Sequence, residues 1–436
     1  MSTPNSKLRW RVLVFPAGTE NGIEIFRALS VCKEVALLAA ASAGSHHAPF
    51  LYRAVHEIPD VRRPGWQAAL IRLIEQEAVD FVFPANDIVI DALVAVREQL
   101  PCPVVLPPSP AVLVARSKRE TFRRLAGAVP LPASYASPDE IEAFPVFVKP
   151  DAGYGGQGAR LVRSRDALAA ELATGTDLLI QEYLPGAEFT VDCFTDRHGR
   201  LLVCEGRERV RVRMGTSMHG RGAGPERTAE IRSLGEAISS RLGLRGAWFF
   251  QLKEDAGGAL RLLEVDVRIA GTMALNRVRG VNFPLLSLYD LAGLDVEVQI
   301  NPGPIEIDRC LLNRFRHAYE YETVYVDLDD TLVLNERLNL TLVTLLYQSL
   351  NAGRRIVLMT KSLEEDLGAY LERWRISELF DEVIHLPESA SKADFIEPAG
   401  AIFIDDSYSQ RREVAERHGI PTFDPSMVEA LLDERI

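Results

Sequence analysis

The amino-acid sequence predicts a mixed α/β and α+β protein of several domains. Its 436 residues are enough for two or three domains of ordinary size. Two regions alternate apolar strand segments with amphipathic helices, which is typical of parallel sheets, and the strand-rich region between them predicts an antiparallel sheet. We place an α/β domain at 1–115, an α+β domain at 116–305, a linker at 306–321 and a second α/β domain at 322–436.

Composition restricts the class of protein. Hydrophobic residues make up 47% and charged residues 25% of the chain, as in globular proteins with sizeable cores. The net charge of −12 argues against a nucleic-acid partner, which needs clustered Lys and Arg. Five scattered cysteines indicate free thiols in a reducing compartment. Because no apolar run reaches transmembrane length and the N-terminus lacks a signal-peptide core, we expect a cytoplasmic protein without a membrane partner.

The first domain is predicted to be Rossmann-like. The strand RVLVF is followed by turn residues, the helical segment IEIFRALS and the strand VALLAA. A second helical pattern, GWQAALIRLIEQEA, precedes the strand DFVFPAND, which ends in a polar loop at Asn86 and Asp87. Alternation of this kind predicts a parallel sheet covered by helices.

A glycine-rich segment in the second domain, FVKPDAGYGGQGARLV, contains G-x-G-x-x-G at Gly153, Gly155 and Gly158. A dinucleotide-binding fingerprint would need a helix directly after the glycines. Here ARLVRS follows and alternates as a strand does, so the dinucleotide interpretation fails. A loop between two strands can still cover phosphates, since glycine lets backbone N–H groups approach closely, and Lys149 would add positive charge. A flexible hairpin tip is the alternative.

Oxygen-bearing side chains follow about a hundred residues later in LEVDVR. Strand alternation places Glu264, Asp266 and Arg268 on one face, and Gln251 on the preceding strand can oppose them. Carboxylate and amide oxygens are ligands suited to Mg²⁺ with a nucleotide phosphate. A solvated strand face is the alternative.

Four segments in this order resemble the ATP-grasp enzymes: ARSKRETFRRL, FPVFVKPDAGYGGQG, LIQEYLPGAEFTVD and QL…LEVDVR. The resemblance covers residues 1–305 and is strongest to the branch with carbamoyl-phosphate synthase, biotin carboxylase and the pyrrolysine-biosynthesis ligases. It implies a pre-ATP-grasp domain, the ATP-grasp fold, and ATP and Mg²⁺ as cofactors, with Mn²⁺ as an alternative ion. It also implies that a small-molecule carboxylate is activated as an acyl phosphate and attacked by an amine, and it allows a homodimer.

The resemblance assigns roles to individual positions. The residues implied for ATP phosphates, with a glycine-rich lid within 147–190, are Lys118, Lys149, Gly153, Gly155, Gly156 and Gly158. Those implied for adenine and ribose are Gln181, Glu182, Leu184 and Glu188. Those implied for Mg²⁺ are Gln251, Glu264 and Asp266, and Arg268 is implied to steady the transferred phosphoryl group. Asp266 stands where the family usually has Asn, which keeps an oxygen ligand and adds a negative charge.

An arginine-rich segment, GRERVRVRMGTSMHGRG, adds a candidate substrate site. Alternation places Arg207, Arg209, Arg211 and Arg213 on one strand face. With the ATP-grasp resemblance, Arg209, Arg211 and Arg213 are candidates to hold the substrate carboxylate or acyl phosphate, and residues 215–224 a candidate lid. A charged, solvated edge strand is the alternative.

The last domain opens with TVYVDLDDTLV, whose apolar strand delivers Asp327 at the end where parallel sheets bind ligands. Later segments, IVLMTKS, SK and IFIDDS, supply further polar side chains: Thr360, Lys392, Asp405 and Asp406. This order resembles haloacid dehalogenase-like (HAD) phosphatases of the D-x-D-D-T type. A buried Asp–Lys network in an inert domain is the alternative.

The HAD resemblance implies a phosphatase mechanism. Asp327 would be the nucleophile that becomes a phosphoaspartate, Asp329 the acid/base, and Thr360 and Lys392 the phosphoryl holders. The implied Mg²⁺ ligands are Asp327, Asp329, Asp405 and Asp406. About 29 residues separate Thr331 from Thr360 and about 32 separate Thr360 from Lys392, too few for a sizeable cap domain, so we expect a capless site for a phosphorylated substrate.

Together these patterns predict a bifunctional enzyme, a carboxylate–amine ligase fused to a phosphatase, in small-molecule or amino-acid biosynthesis. Two alternatives keep the ATP site but change the chemistry: an ATP-grasp kinase and a carboxylate–thiol ligase. A third is a single-activity enzyme in which one domain only binds a ligand.

Overall fold

The computed structural model describes residues 10–153, 156–364 and 366–435. Contacts divide the chain into two compact units, Met1–Leu311 and Leu312–Arg435. The division falls inside the predicted linker 306–321, and the predicted boundary after residue 115 lies within the first unit. Gly155 lies outside the described residues. In the part of the chain that is described, no helix is both long and apolar enough to cross a bilayer.

A parallel four-stranded sheet begins the first unit, in the order β3-β2-β1-β4. Thr19 and Asn86 cap the helices that follow β1 and β4, because their side chains accept hydrogen bonds from the Gly22 and Val89 amides. Both helix N-termini therefore lie at the carboxyl edge of the sheet. The elements are β1 Trp10–Phe15, α1 Glu20–Leu29, β2 Val35–Ala41, β3 His56–Glu57, α2 Trp66–Gln76, β4 Phe81–Pro84, α3 Asp87–Val96 and α4 Ser109–Ala115.

A second, antiparallel sheet carries the glycine-rich loop. Its order is β5-β8-β6-β7, and the loop joins two strands that pair Val146 with Val162. A strand therefore follows the glycines, as the alternation of ARLVRS predicts. The elements are α5 Lys118–Leu125, β5 Ser134–Tyr135, β6 Val146–Pro150, β7 Arg160–Val162, α6 Arg165–Leu172 and β8 Leu178–Glu182.

The six-stranded third sheet has the order β13-β12-β9-β10-β11-β14. Most of the predicted lid at 215–224 is the strand β11, so the expectation of a loop there was wrong; its residues pair with β10 and β14 on either side. The elements are β9 Glu188–Thr195, β10 Leu201–Arg213, β11 Thr216–Gly222, α7 Pro225–Leu242, β12 Gly246–Glu254, β13 Leu260–Asp266, α8 Ala274–Arg277, α9 Phe283–Leu291 and β14 Glu306–Asp308.

Among the described residues, two large hydrophobic cores join the parallel sheet of the first unit to its six-stranded sheet, and a smaller core lies under the glycine-rich loop's sheet. One large core packs Leu13 of β1 with Val191 of β9, and the other packs Val14 with Phe249 of β12. Each large core thus contains residues from both sides of position 115, so the parallel sheet and the six-stranded sheet are buried together. This joint burial places the carboxyl edge of the parallel sheet beside the face of the antiparallel one.

The second unit has a parallel five-stranded sheet in the order β19-β18-β15-β20-β21. Its core includes Val324, Ile356 and Ile402 from three adjacent strands. The elements are β15 Thr323–Val326, β16 Val333–Leu334, β17 Arg337–Leu338, α10 Leu340–Asn351, β18 Arg355–Thr360, α11 Leu367–Trp374, β19 Glu382–His385, β20 Ala401–Ile404, α12 Tyr408–His418 and β21 Thr422–Phe423. Between β15 and β18, where every residue is described, the chain forms the β16–β17 hairpin and α10.

Candidate functional site

A cavity of about 550 Å³ lies in the first unit, between the parallel sheet, the glycine-rich loop and the six-stranded sheet. Nine residues predicted for the site line it: Lys118, Lys149, Gly153, Gly156, Glu188, Arg209, Gln251, Glu264 and Arg268. A smaller cavity of about 80 Å³ is lined by the residues predicted for adenine, Gln181, Glu182 and Leu184. The two cavities share Lys149 and Glu188. The fold therefore brings together predicted site residues that are far apart in the sequence.

Lys149 is a buried cation of this cavity. It is the penultimate residue of β6, its Nζ donates to the Leu263 carbonyl at 2.9 Å, and the ammonium lies 5.2 Å from the centre of the Phe122 ring. Burial lowers the pKa of Lys149 to about 8, against the opposing effect of Glu264. An anion placed against this ammonium would favour its charged form. Lys118, at the start of α5, donates to the Asp151 carbonyl at 3.3 Å.

The glycine-rich loop covers this end of the cavity. Gly156 and Gly158 have φ of 70° and 73°, where residues with a Cβ are strained. A Cβ on Gly158 would come within 2.8 Å of Pro150 Cγ. Gly153 and Gly156 line the cavity, whereas Gly158 shapes the return of the loop.

Polar side chains of the smaller cavity are held by hydrogen bonds from nearby loops. Gln181 Nε2 donates to Ser134 Oγ at 3.1 Å, and Glu182 accepts from the Ala133 amide at 2.8 Å. Glu188, at the junction of the cavities, accepts from Lys253 at 3.1 Å. The slot is bordered by apolar side chains such as Phe147 and Leu263 and by these polar and charged groups.

Gln251 and Glu264 face each other across the β12–β13 pair, as predicted, and both line the large cavity. An amide oxygen and a carboxylate are ligands that fit Mg²⁺. Asp266, the third residue predicted to bind Mg²⁺, does not line the cavity. It is 8% exposed, its Oδ2 lies 2.9 Å from Arg268 Nη2, and its Oδ1 accepts a hydrogen bond from the Val267 amide. Burial raises the pKa of Asp266 to about 7.

Arg268 is held from two sides by carboxylates. Asp266 pairs with its Nη2, and its Nε donates to Asp87 Oδ2 at 3.1 Å. The guanidinium also lies 5.3 Å from the centre of the Phe249 ring. Asp87 also accepts from Arg116 Nη1 at 2.8 Å. The polar loop after a buried strand pointed to Asp87, but no pattern in the sequence indicated Arg116 as its partner.

The arginine-rich strand β10 does not present one continuous face. Its pairing with β11 slips between Arg209 and Arg211 and again before Val212. A bulge changes which side chains share a face, so Arg207, Arg209 and Val212 line the cavity. Arg211 is exposed and pairs with Asp308 at 2.6 Å, and Arg213 is exposed too. Of the three candidates for the substrate site, Arg209 lines the cavity, whereas Arg211 and Arg213 are not among its lining residues.

Arg209 is fixed at the Glu188 side of the cavity. Its Nη1 lies 2.9 Å from Glu188 Oε1, and its Nη2 donates to the Gly215 carbonyl at 2.6 Å. Burial lowers the pKa of this guanidinium. Arg209 thus connects the residue predicted for ribose with the turn between β10 and β11.

The second unit has its own polar cluster at the carboxyl ends of β15 and β20. Lys392 Nζ lies 2.5 Å from Asp327 Oδ1 and 2.6 Å from Asp405 Oδ2. Asp327, Asp405 and Asp406 have ligand oxygens within 4.8 Å of one another, a donor set that fits Mg²⁺. Burial raises the pKa of Asp327 to about 7, although Lys392 opposes the shift; the pKa of Asp406 is raised as well.

Thr360 and Asp329 flank this cluster differently. Thr360 is fully buried at the end of β18, and its Oγ1 accepts from the Ser362 amide at 3.0 Å. Asp329 is exposed, lies outside the group of three carboxylates, and lines an open cavity with Lys361 and Arg373. The position of Asp329 suits a proton donor to a substrate better than a metal ligand. Sequence reasoning missed Thr331, whose Oγ1 donates to Asp327 at 3.2 Å.

Known proteins share the architecture of the first unit. Residues 174–307 match the family described as ATP-grasp in the biosynthetic pathway with Ter operon. Biotin carboxylase from Campylobacter jejuni, solved with β-γ-ATP, is similar with a TM-score of 0.58 at 15% identity, over 67% of this chain and 73% of that one. The chain contains the ATP-grasp fold. A comparison with curated proteins gave no match.

Two further ATP-grasp structures resemble the chain. N5-carboxyaminoimidazole synthetase from Staphylococcus aureus, solved with ADP, has a TM-score of 0.57 at 15% identity, over 70% of this chain and 84% of that one. The biotin carboxylase domain of Hydrogenobacter thermophilus 2-oxoglutarate carboxylase, a dimer solved with MgADP and bicarbonate, has a TM-score of 0.57 at 16% identity. The similarity covers 67% of this chain and 73% of that one. The family match at 174–307 contains Glu188, Gln251 and Glu264, whereas Lys149 precedes it.

Proposed function

We propose that the ATP-grasp unit is an ATP-dependent carboxylate–amine ligase. The observation that carries this proposal is the single cavity in which two lysines, a glycine-rich loop and the facing pair Gln251 and Glu264 converge. The nucleotides in the related structures support ATP as the ligand, and MgADP in the Hydrogenobacter domain supports Mg²⁺. A homodimer remains a prediction.

The residues of the cavity fit phosphoryl transfer, which depends on positioning and charge neutralisation. ATP with Mg²⁺, when bound, supplies the phosphoryl group that activates the carboxylate. Gln251 and Glu264 would hold the metal, and Lys118 and Lys149 would neutralise phosphate charge. Arg268 lines the cavity and would stabilise charge on the transferred group. The glycine-rich loop over the cavity would help to keep water from the acyl phosphate until the amine attacks.

ADP release tests the ligase proposal. The full chain is incubated with ATP, Mg²⁺ and pairs drawn from a panel of amino acids, and ADP and product mass are measured. We expect ADP only with the correct pair, together with a product joined by an amide bond. Glu264→Gln should reduce the rate on the order of a hundredfold, whereas Glu236→Gln, an exposed residue on α7, should not.

Other products would decide between the alternatives. A phosphorylated acceptor would identify a kinase, and a thioester would identify a carboxylate–thiol ligase. ATP binding without ADP release from any pair would contradict catalysis by this unit and favour a binding module.

We also propose that the second unit is a capless HAD-type phosphatase. The Asp327–Lys392–Asp405 cluster supports it. Asp327 would attack phosphorus and form the phosphoaspartate while the leaving oxygen takes a proton from Asp329; water would then hydrolyse the acyl phosphate. Hydrolysis of p-nitrophenyl phosphate that is lost with a chelator and restored by Mg²⁺ is the expected result. Metal-independent hydrolysis, or none, would contradict the proposal.

A further inference from the structure

Arg207 is a buried cation of the ATP-grasp cavity that the proposed chemistry does not use. It is 1% exposed and lines the cavity. Its Nε and Nη2 donate to Asp192 at 2.9 and 3.0 Å. Its Nη1 is buried without a hydrogen-bond partner among the described residues. A buried charged donor left unpaired is costly, so such a group usually indicates a ligand or a water that completes it.

The neighbours of Arg207 fix its orientation. Asp192 is fully buried, and its Oδ2 also accepts from Asn276 Nδ2 at 2.9 Å. Because Asp192 takes the Nε–Nη2 edge of the planar guanidinium, Nη1 is held on the other edge and cannot turn toward the carboxylate. The residue is thus a rigid donor, with little rotamer entropy left to lose on binding.

The sheet register sets the distance from Arg207 to the predicted metal ligands. Gln251 pairs with Thr190, and Thr190 pairs with Arg207, so the three residues form one row across β12, β9 and β10. All three line the same cavity. Two strand spacings separate Gln251 from Arg207, about 10 Å at the backbone. A small organic acid can span such a gap.

Other arginines near Arg207 are already paired with carboxylates. Arg268 is held by Asp87 and Asp266, and Arg309, at the rim, is paired with Glu20 at 2.9 Å. Glu205, near the base of Arg207, is paired with Arg279 at 2.9 Å. The Arg207 guanidinium therefore pairs with one carboxylate, that of Asp192, and its Nη1 can still donate to the carboxylate of a ligand.

We infer that Arg207 anchors a substrate carboxylate that is not consumed in the reaction. This inference rests on the proposed ligase function and specifies its substrate: a small acid or amino acid with one group that reacts beside Arg268 and a second, anionic group bound at Arg207. Arg207 is then a positioning residue that selects the substrate. Loss of one hydrogen bond from a charged donor weakens binding roughly ten- to hundredfold.

Binding measurements on the full chain test the anchor. The protein, saturated with ADP and Mg²⁺, is titrated with the amino acids, succinate and glutarate, each beside the analogue in which one carboxylate is a primary amide. We expect at least one acid to bind roughly ten- to hundredfold more tightly than its amide. Arg207→Met should remove this difference and leave the affinity for ADP unchanged. Arg221→Met is the matched control, because Arg221 on β11 is exposed and pairs with Glu208.

Several outcomes would overturn the inference: no acid binds, the acid and its amide bind equally, or the difference survives in Arg207→Met. If that variant does not fold, Arg207→Met combined with Asp192→Asn removes both charges and gives the same test. ADP release, measured in parallel from ATP, separates this inference from the ligase proposal. An acid preference that depends on Arg207, found without ADP release from any pair, would leave the anchor and contradict the ligase.

Discussion

Burial has opposite effects on two key residues, Lys149 and Asp327. Each side chain is buried, where its charged form is poorly solvated, so the pKa of Lys149 is lowered to about 8 and that of Asp327 is raised to about 7. Both pKa values therefore lie close to physiological pH, and a ligand of opposite charge would favour the charged form of either group.

Nucleotide affinity should depend on pH through Lys149. Below about pH 8 the ammonium is charged and can pair with phosphate; above it the affinity for ADP and Mg²⁺ should fall. Calorimetric titration from pH 7 to 9.5 measures this, and Lys149→Arg, which stays charged, should remove the decline. In the nucleotide-free protein the free energy of unfolding should rise as the pH increases from about 8 to 10.5, because Lys149 of the unfolded chain still binds its proton there and Lys149 of the folded chain does not.

Asp327 should be required for phosphomonoester hydrolysis. Asp327→Asn keeps the size of the side chain but removes the nucleophile, so hydrolysis of p-nitrophenyl phosphate should fall on the order of a thousandfold or more. Asp394→Asn, an exposed residue paired with Arg417, is the matched control. Unchanged hydrolysis in Asp327→Asn would exclude Asp327 as the nucleophile.

At the scale of elements, the bulge in β10 decides which arginines reach the cavity. A regular strand would have placed Arg207, Arg209, Arg211 and Arg213 together, but the two register shifts turn the distal half of the strand toward solvent. Arg211 then pairs with Asp308 of β14 at the sheet edge. The first two arginines of the segment thus line the cavity, whereas Arg211 forms an ion pair with the edge strand of the sheet.

Substitutions on the two sides of the bulge should separate these roles. Arg209→Met removes one of the two cations paired with Glu188 and should weaken ADP binding roughly tenfold, as expected when an ion pair in a cavity wall is broken. Arg213→Met, at an exposed position, should leave the affinity for ADP unchanged. Equal effects of the two variants on calorimetric ADP affinity would mean that the bulge does not divide the strand in solution.

For the whole molecule, the two units have separate hydrophobic cores. The two large cores of the first unit join its sheets, whereas those of the second lie within 321–431. Each unit therefore buries its own apolar surface, the condition for folding independently.

Nucleotide should stabilise only the first unit. Residues 1–311 and 312–436 produced as separate chains should each unfold cooperatively, and ADP with Mg²⁺ should raise the Tm of the first fragment alone, because a ligand stabilises only the folded state that binds it. Differential scanning calorimetry measures both. A nucleotide-dependent Tm in the second fragment, or failure of both fragments to fold, would contradict the independence of the units.

The sequence by itself determined the order of most elements and the strand–loop–strand context of the glycines, because periodicity and turn chemistry are local properties of the chain. The resemblance to ATP-grasp enzymes, carried by four motifs, added nine residues that line the cavity. The Asp327, Lys392 and Asp405 cluster could likewise be expected, because the ends of parallel strands meet at one edge.

Tertiary structure alone decided which polar groups are paired. Asp87 and Asp266 enclose Arg268, the bulge in β10 turns Arg211 away, and Asp192 holds Arg207 with one nitrogen unpartnered. Each outcome depends on contacts between distant segments and on small shifts of strand register, neither of which leaves a periodic trace in the sequence.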